Sequence, residues 1–332
     1  MNLNCMLSLY HREIPDFIVP FLCLPEMERL KDIGMNCGCE YTSFSLFKDL
    51  PPYSRFDHSL GAALIVWNFS HSPAQALAAL FHDIATPVFA HCIDFMRGDH
   101  LKQEATESYT ETIIGGSGET ISLLRKLGLS AADVNDYHRY PIADNDSPRL
   151  SADRLEYTLG NLLGYGFADL EKLQLYYNAV RVAAAPEDGK PELAFSEAET
   201  ALSFALNALR CSKVYVSPED RYAMQMIAEL MRTAADRGVL NERDLYRTEP
   251  EVIELLEHDS VAAERWRRIR AMHKMISAEK APASEVRVIR AKKRRIDPLV
   301  IGQGRLSDIS GQFRTELRQF LDASHDEPLC AV

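Results

Sequence analysis

Apolar residues recur at helical spacing along most of the chain. The repeat is clearest in a run of side chains at positions i, i+3, i+4 and i+7, namely Leu77, Leu80, Phe81 and Ile84. Ser72 and Pro73 form a typical helix start, and Pro87 cannot continue a helix. This pattern therefore predicts a helix that begins at Pro73 and carries His82 and Asp83 near its C-terminal end.

The same period predicts further helices elsewhere in the chain. They cover residues 26–33, 56–69, 122–127, 170–180, 198–209 and 219–237, and another begins after a Ser151 cap. Residues 186–191 form a polar loop between two of them, and basic and β-branched residues alternate over 284–302, which predicts strands. We expect a mostly α fold, with a helical bundle over residues 1–240 and a small C-terminal α+β extension over 241–332.

Composition and charge narrow the classes of function. The net charge is −11 and the pI is near 5.4, which argues against broad nucleic-acid binding because that requires a basic face. The longest apolar runs are too short to cross a bilayer, and residues 1–13 do not resemble a signal peptide. Seven scattered cysteines with a lone CxC pair fit reduced thiols. We therefore expect a cytoplasmic protein with no membrane partner.

Two histidines and two aspartates stand out as a set of metal ligands. They are His58 in SRFDHS, the adjacent pair His82 and Asp83, and Asp153 in SADRLEY. Two imidazoles and two carboxylates suit one divalent ion, which could be Mn, Fe, Co, Ni, Zn or Mg. Adjacent His-Asp pairs are common by chance, and the two flanking motifs are what favour a ligand set. Such an ion would activate water for attack on a phosphate ester.

The order H…HD…D, with its flanking residues, resembles the HD-domain metal-dependent phosphohydrolases. Within that superfamily the chain is most similar to the branch that contains the dNTP triphosphohydrolases. RFDHSLG resembles the family segment "RFeHSlG", and HDIATPVFAH resembles "HDiGHgPFsH". PEMERLKDIG, SADRLEYTLGNLLGYG and RRIDPLV resemble three further segments of that branch. The resemblance covers most of residues 14–240, and it implies an HD-domain helical bundle that self-associates as a homo-oligomer.

The resemblance also implies roles for residues around the ion. The four ligands above match the family's metal ligands, and Asp83 counts among its catalytic residues. Arg55 would bind a phosphate of the substrate, as would Arg154 and Tyr157. His91 and Asp94 match a family His-Asp pair, in which the carboxylate would hold the imidazole protonated as a general acid. Small phosphate esters, nucleotides above all, are the implied substrates.

Two positions depart from the family pattern. Thr86 stands where the triphosphohydrolases have a histidine, and Gln103 precedes Glu104 where they have a His-Glu pair. Both changes remove groups that could transfer protons or bind a triphosphate, while the ligand set is retained. His100 and His138 are candidates to compensate, although surface positions are the more common role for such histidines.

Three functions are consistent with these patterns. The first is a metal-dependent phosphohydrolase, with manganese as a candidate ion, that acts on a nucleotide such as a dNTP or on a related phosphate ester. The second is a nucleotide-binding sensor or oligomeric regulatory protein with weak or no turnover. The third is a di-iron HD-type oxygenase, which would need histidine ligands that Thr86 and Gln103 do not supply. The basic segment 287–295 could bind a nucleotide effector or RNA, or form a solvated strand edge.

Overall fold

The described residues of a computed structural model, 4–98, 109–290 and 292–332, fold mainly into helices. The α-helices are α1 (Asn4–Tyr10), α2 (Val19–Leu22), α3 (Pro25–Glu28), α4 (Arg55–Ser70), α5 (Pro73–Phe81), α6 (Cys92–Arg97), α7 (Thr110–Gly116), α8 (Gly118–Lys126), α9 (Ala152–Gly164), α10 (Leu170–Asn178), α11 (Ala198–Val214), α12 (Pro218–Asp236), α13 (Glu249–His258), α14 (Ser260–Ala271), α15 (Leu306–Ile309) and α16 (Gly311–Asp322). The mostly α fold with small α+β parts is confirmed. In the described parts of the chain, no helix is long and apolar enough to span a membrane.

Short strands form two small sheets. The strands are β1 (Val180–Ala184), β2 (Pro191–Phe195), β3 (Met275–Ile276), β4 (Arg287–Val288), β5 (Leu299–Val300), β6 (Gly304–Arg305) and β7 (Pro328–Ala331). The first sheet has the order β1-β2-β5-β6 and the second β3-β7-β4. Residue 194 in β2 pairs in parallel with residue 299 in β5, so the C-terminal part of the chain adds to a hairpin from its middle. The boundary at residue 240 stays a prediction.

Helix α4 lies in the core and carries His58, the first of the expected ligands. A capping box fixes its start, because Ser54 accepts from the backbone of Asp57 and the Asp57 carboxylate accepts from the Ser54 backbone. Its residues from 58 to 66 are all buried, and it packs against α5 and α9. A helix that is apolar on nearly all sides belongs inside a protein. Helices α4 and α9, which carry His58 and Asp153, and helix α5, which leads to His82 and Asp83, are therefore direct neighbours.

Helix α5 ends one turn earlier than its sequence predicts. The pattern extends the helix to Pro87, whereas the structure ends it at Phe81. Beyond that point Ile84 donates to the Phe81 carbonyl and Thr86 to the Asp83 carbonyl, so the chain continues in tight turns. Apolar spacing persists through these turns because they are buried, which is why periodicity alone could not locate the helix end.

A second bend follows directly and positions His91. Phe89 and Ala90 are both fully buried with φ of 55° and 43°, a conformation that is costly for residues with a side chain. Val88 donates to the carbonyl of Leu245, and this contact from the C-terminal part of the chain helps to hold the bend.

A buried carboxylate pair links α13 to the same region. Glu249 accepts from the backbone of Gly34 at 3.1 Å and of Phe89 at 3.3 Å, and from the Tyr41 hydroxyl at 2.8 Å. Glu40 lies beside it, and its buried Oε2 has no hydrogen-bond partner in the described structure. Burial and the neighbouring charge of Glu249 raise the pKa of Glu40 to about 8. The folded protein therefore keeps a proton on this pair at neutral pH.

Glu40→Gln is expected to raise the melting temperature by several degrees at pH 9 and to change it little at pH 4.5. The raised pKa means that the folded state binds more protons than the unfolded state between about pH 4.5 and about pH 8. Stability of the unmodified protein is therefore lost as the pH rises through that window, and a neutral glutamine avoids this loss. Thermal unfolding of both proteins across the window measures the difference. A difference that does not change with pH would contradict the assignment.

Candidate metal centre

Four side chains converge between α4, α9 and the turn after α5. His58 Nε2 lies 3.0 Å from Asp153 Oδ1 and 3.1 Å from His82 Nε2. His82 Nε2 lies 3.6 Å from Asp83 Oδ2 and 3.6 Å from Asp153 Oδ1. His58, His82 and Asp83 meet the geometry of a group that could hold a metal ion, and all three are buried. Asp153 is the most exposed member of the cluster, with 22% of its side chain accessible to solvent.

Both oxygens of Asp83 have fixed partners. Arg55 Nη1 donates to Oδ2 at 2.9 Å, and the Thr86 hydroxyl donates to Oδ1 at 2.8 Å. Burial opposes ionisation, but the charges of Arg55 and the two histidines outweigh it and hold the pKa of Asp83 below its usual range. The carboxylate is therefore charged and oriented towards the histidines.

His58 is oriented by a buried carboxylate on α9. Its Nδ1 lies 2.5 Å from Glu156 Oε2, and the Glu156 carboxylate also accepts from the hydroxyls of Tyr53 and Tyr10. Burial opposes a charge on His58, but its hydrogen bonds to Asp153 and Glu156 outweigh it and raise the pKa of His58 to about 10. The acidic surroundings of this histidine thus attract positive charge.

The donor set fits a divalent ion. Two imidazole nitrogens and two carboxylate oxygens point at one another, and each histidine uses its other nitrogen for a fixed partner. His82 Nδ1 lies 2.7 Å from the Ala79 carbonyl, and His58 Nδ1 lies against Glu156. Such partners select the tautomer that leaves Nε2 available to a metal. Their role as metal ligands stays a prediction.

Arg55 lies beside the cluster with a hydrogen-bond donor to spare. Only 8% of its side chain is exposed, and its Nη1 is committed to Asp83. Its Nε is buried without a partner among the described residues. Buried donors are nearly always satisfied in folded proteins, so an unsatisfied one beside the candidate ligands suggests a bound group. A phosphate oxygen fits because guanidinium groups bind phosphate well.

His91 lies between Asp94 and Arg294. Its Nδ1 is 2.9 Å from Asp94 Oδ2, and its Nε2 is 3.2 Å from Nη2 of Arg294. Because an arginine can only donate, Nε2 is the acceptor and the ring proton is on Nδ1. Burial lowers the pKa of His91 to about 4, although the hydrogen bond to Asp94 raises it. The charges of Arg294 and Arg55 lower it further.

This arrangement favours a neutral His91, whereas the sequence analysis expected the protonated form. The expectation considered Asp94 alone, and the opposing arginine comes from the distant C-terminal segment. Asp94 still orients the ring, since it is fully buried and within hydrogen-bond distance. The catalytic roles of His91 and Asp94 stay predictions.

Arg154 and Tyr157 lie on α9 on either side of Glu156. Arg154 donates to Asp144 at 2.7 Å and also to Ser151 and Asn145, so in this structure it holds the loop before α9. The ring of Tyr157 lies 6.4 Å from that of His58, and the side chain is partly exposed. Tyr157 therefore lies beside the candidate ligands, and Arg154 would have to release Asp144 to bind a phosphate.

The positions that depart from the family pattern have different outcomes. Thr86 is fully buried and its hydroxyl is used on Asp83, so it supports the cluster and does not reach a substrate. Gln103, Glu104 and His100 lie outside the described residues. His138 is half exposed, and its Nε2 lies 3.5 Å from Asp144 Oδ2.

Two glycines leave room for the Glu156 network. A Cβ on Gly61 in α4 would lie 2.5 Å from Glu156 Oε1, and one on Gly160 in α9 would lie 2.5 Å from the Tyr53 hydroxyl. Both are closer than real contacts allow. The two helices can therefore approach each other around this carboxylate only because these positions lack side chains.

Gly61→Ala is expected to destabilise the protein by about 1–3 kcal/mol, because the added methyl group must displace a buried, hydrogen-bonded carboxylate. Gly164→Ala at the end of α9 is the matched control, since a Cβ there has nothing within 4 Å. Urea unfolding measures both variants. Equal stability of the two would show that Glu156 moves aside at no cost.

Sequence reasoning missed the groups that support the ligands. Glu156 binds the far side of His58, the hydroxyls of Tyr53 and Tyr10 donate to Glu156, and Arg294 contacts His91. Glu156 follows Asp153 by three positions on one helix, so its spacing could have indicated a shared face. No local pattern relates Arg294 to His91, because they are 203 positions apart.

No protein-family model matches the chain. The chain is 27% identical over 191 residues to a protein from Cordyceps militaris named metal-dependent phosphohydrolase cns2, which covers 57% of this chain and 52% of that protein. It is 22% identical over 206 residues to the uncharacterized protein YdhJ of Bacillus subtilis, with 61% of each covered. The chain thus matches less than two thirds of the length of either curated relative.

The fold also resembles a solved structure. A hypothetical protein from Aquifex aeolicus superimposes with a TM-score of 0.62 at 15% identity, over 96% of this chain and 92% of that one. At this level of identity the similarity concerns the fold alone.

Proposed function

We propose that the protein is a metal-dependent phosphohydrolase that acts on a nucleotide or a related phosphate ester. The observation that carries this proposal is the convergence of His58, His82, Asp83 and Asp153 beside a buried arginine. The name of the Cordyceps militaris relative supports hydrolysis of a phosphate ester. The nucleotide substrate, and the dNTP above all, rests on the sequence resemblance, as does self-association. A cytoplasmic location rests on the scattered cysteines, which fit reduced thiols.

The residues of this chain have distinct tasks in such a reaction. The four ligands would hold the ion, which when bound polarises a phosphoryl oxygen and makes water a better nucleophile. Arg55 would donate from Nε to the phosphate while Nη1 keeps Asp83 in place. His91, oriented by Asp94, accepts at Nε2 and is the candidate for moving a proton. Tyr157 would border the bound ester.

A second candidate is a nucleotide-binding sensor without efficient turnover. The observation that favours it is Thr86, which stands in place of a family histidine and is buried against Asp83. The ligand cluster would then serve to bind a nucleotide phosphate through its ion, with no group at this position to assist catalysis.

One assay separates these functions. Metal-depleted protein is reloaded with each of Mn, Fe, Co, Ni, Zn and Mg and incubated with dNTPs, NTPs, nucleoside monophosphates and p-nitrophenyl phosphate. Release of intact triphosphate would indicate a triphosphohydrolase, and release of inorganic phosphate alone would indicate a phosphatase. An absence of turnover with the ion shown to be bound would overturn the hydrolase and favour the sensor.

A further inference from the structure

Arg294 reaches the candidate site from the C-terminal segment between β4 and β5. Contacts on both sides fix this segment in place. Before it, the buried side chain of Arg221 donates to the carbonyl of Ile289, and after it Asp297 donates from its backbone to the Pro148 carbonyl at 2.8 Å. Strand β5 then pairs with β2. The position of Arg294 against His91 is therefore set by the fold of the surrounding chain.

The charge of Arg294 acts on His91. Burial lowers the pKa of His91, and the charges of Arg294 and Arg55 act in the same direction. Nη2 of Arg294 lies 3.2 Å from His91 Nε2, and Nη1 of Arg55 lies 2.9 Å from Asp83 Oδ2 of the candidate metal centre. Both arginines are thus close enough to act on the same histidine.

We propose that Arg294 binds a phosphate oxygen of the substrate, so that Arg55 and Arg294 together form a two-arginine phosphate site next to the candidate metal centre. This inference rests on the proposed function and names a residue of the same site. The Nε2 acceptor of a neutral imidazole requires only a neutral donor, whereas a phosphate is matched by the planar donors and fixed charge of arginine. His91 has 18% of its side chain exposed, so a small anion can reach this side.

Inorganic phosphate binding to the metal-loaded protein tests the inference by calorimetry. Arg294→Gln is expected to weaken phosphate binding roughly tenfold or more and to raise KM for p-nitrophenyl phosphate similarly, since hydrogen bonds between charged groups are worth that much. Melting temperature and metal content should stay unchanged. Arg290→Gln is the matched control, because this arginine of the same segment is 71% exposed and pairs with Asp326 on the surface. It should bind phosphate like the unmodified protein.

Several outcomes would overturn the inference. They are unchanged phosphate affinity in Arg294→Gln, an equal loss in Arg290→Gln, and failure of the unmodified metal-loaded protein to bind phosphate. If Arg294→Gln does not fold, Arg294→Lys decides, because it keeps the charge but not the planar donors; full phosphate affinity in that variant would reject the proposal. If the protein hydrolyses esters but does so independently of Arg294, the proposed function stands and this inference fails. If phosphate binding depends on Arg294 but no ester is hydrolysed, this inference stands and the proposed function fails.

Discussion

Asp153→Ala is expected to abolish metal binding and to lower kcat/KM roughly a thousandfold or more, because a catalytic ion supplies several kcal/mol of transition-state stabilisation. Asp153 is the most exposed of the four candidate ligands, and its Oδ1 lies 3.0 Å from His58 Nε2 and 3.6 Å from His82 Nε2. Its loss opens the cluster without leaving a cavity deep in the core. Elemental analysis and steady-state kinetics on the same preparation measure the two effects, and stability in chelator should be little changed.

Asp83→Ala provides the contrast. Activity should fall equally, but the apo protein should also lose about 3–5 kcal/mol of stability, because a buried arginine is left without its partner. Both side chains of the Arg55–Asp83 pair are only 8% exposed. Asp49→Ala, at an 84% exposed position, is the control for loss of an aspartate. Full metal content in Asp153→Ala would remove this residue from the ligand set.

Glu156→Gln is expected to weaken metal affinity about 10–100-fold, the range observed when groups that orient metal ligands are replaced. Glu156 accepts from Nδ1 of His58, which leaves Nε2 free for the ion. The amide of glutamine can donate to that nitrogen instead and thereby select the wrong tautomer. Competition with a chromophoric chelator measures the affinity.

Glu171→Gln is the matched control for this variant, because Glu171 is exposed in the first turn of α10. Its metal affinity should equal that of the unmodified protein. Unchanged affinity in Glu156→Gln would mean that the carboxylate does not orient His58 for an ion, and that the network with Tyr53 serves only to stabilise the fold.

Local patterns predicted the helices well. The predicted helix over 219–237 is Pro218–Asp236 in the structure, and the one over 56–69 is Arg55–Ser70. Both helices are long and capped, and each is either amphipathic or buried. Sequence periodicity is most informative for helices of this kind. The hairpin of β1 and β2 was not predicted, since the end of the preceding helical pattern continues into β1 and only tertiary pairing distinguishes the two.

The candidate ligands were found in sequence because each lies within a recognisable motif. What determines their chemistry comes from elsewhere in the chain. Tyr53 binds Glu156 from more than a hundred positions away, and Arg294 contacts His91 from 203 positions away. Hydrogen bonds of this kind depend on which helices and segments meet, and no local spacing records that.

The order of these residues along the chain has a consequence for synthesis. Every candidate ligand, and the carboxylate that orients His58, precedes residue 157, whereas Arg294 follows much later. Chains emerge from the ribosome N-terminus first and begin to fold as they do so. The four candidate ligands are therefore available to a nascent chain before the arginine that contacts His91 has been made. An ion held by these residues could thus bind before the segment that carries Arg294 is in place.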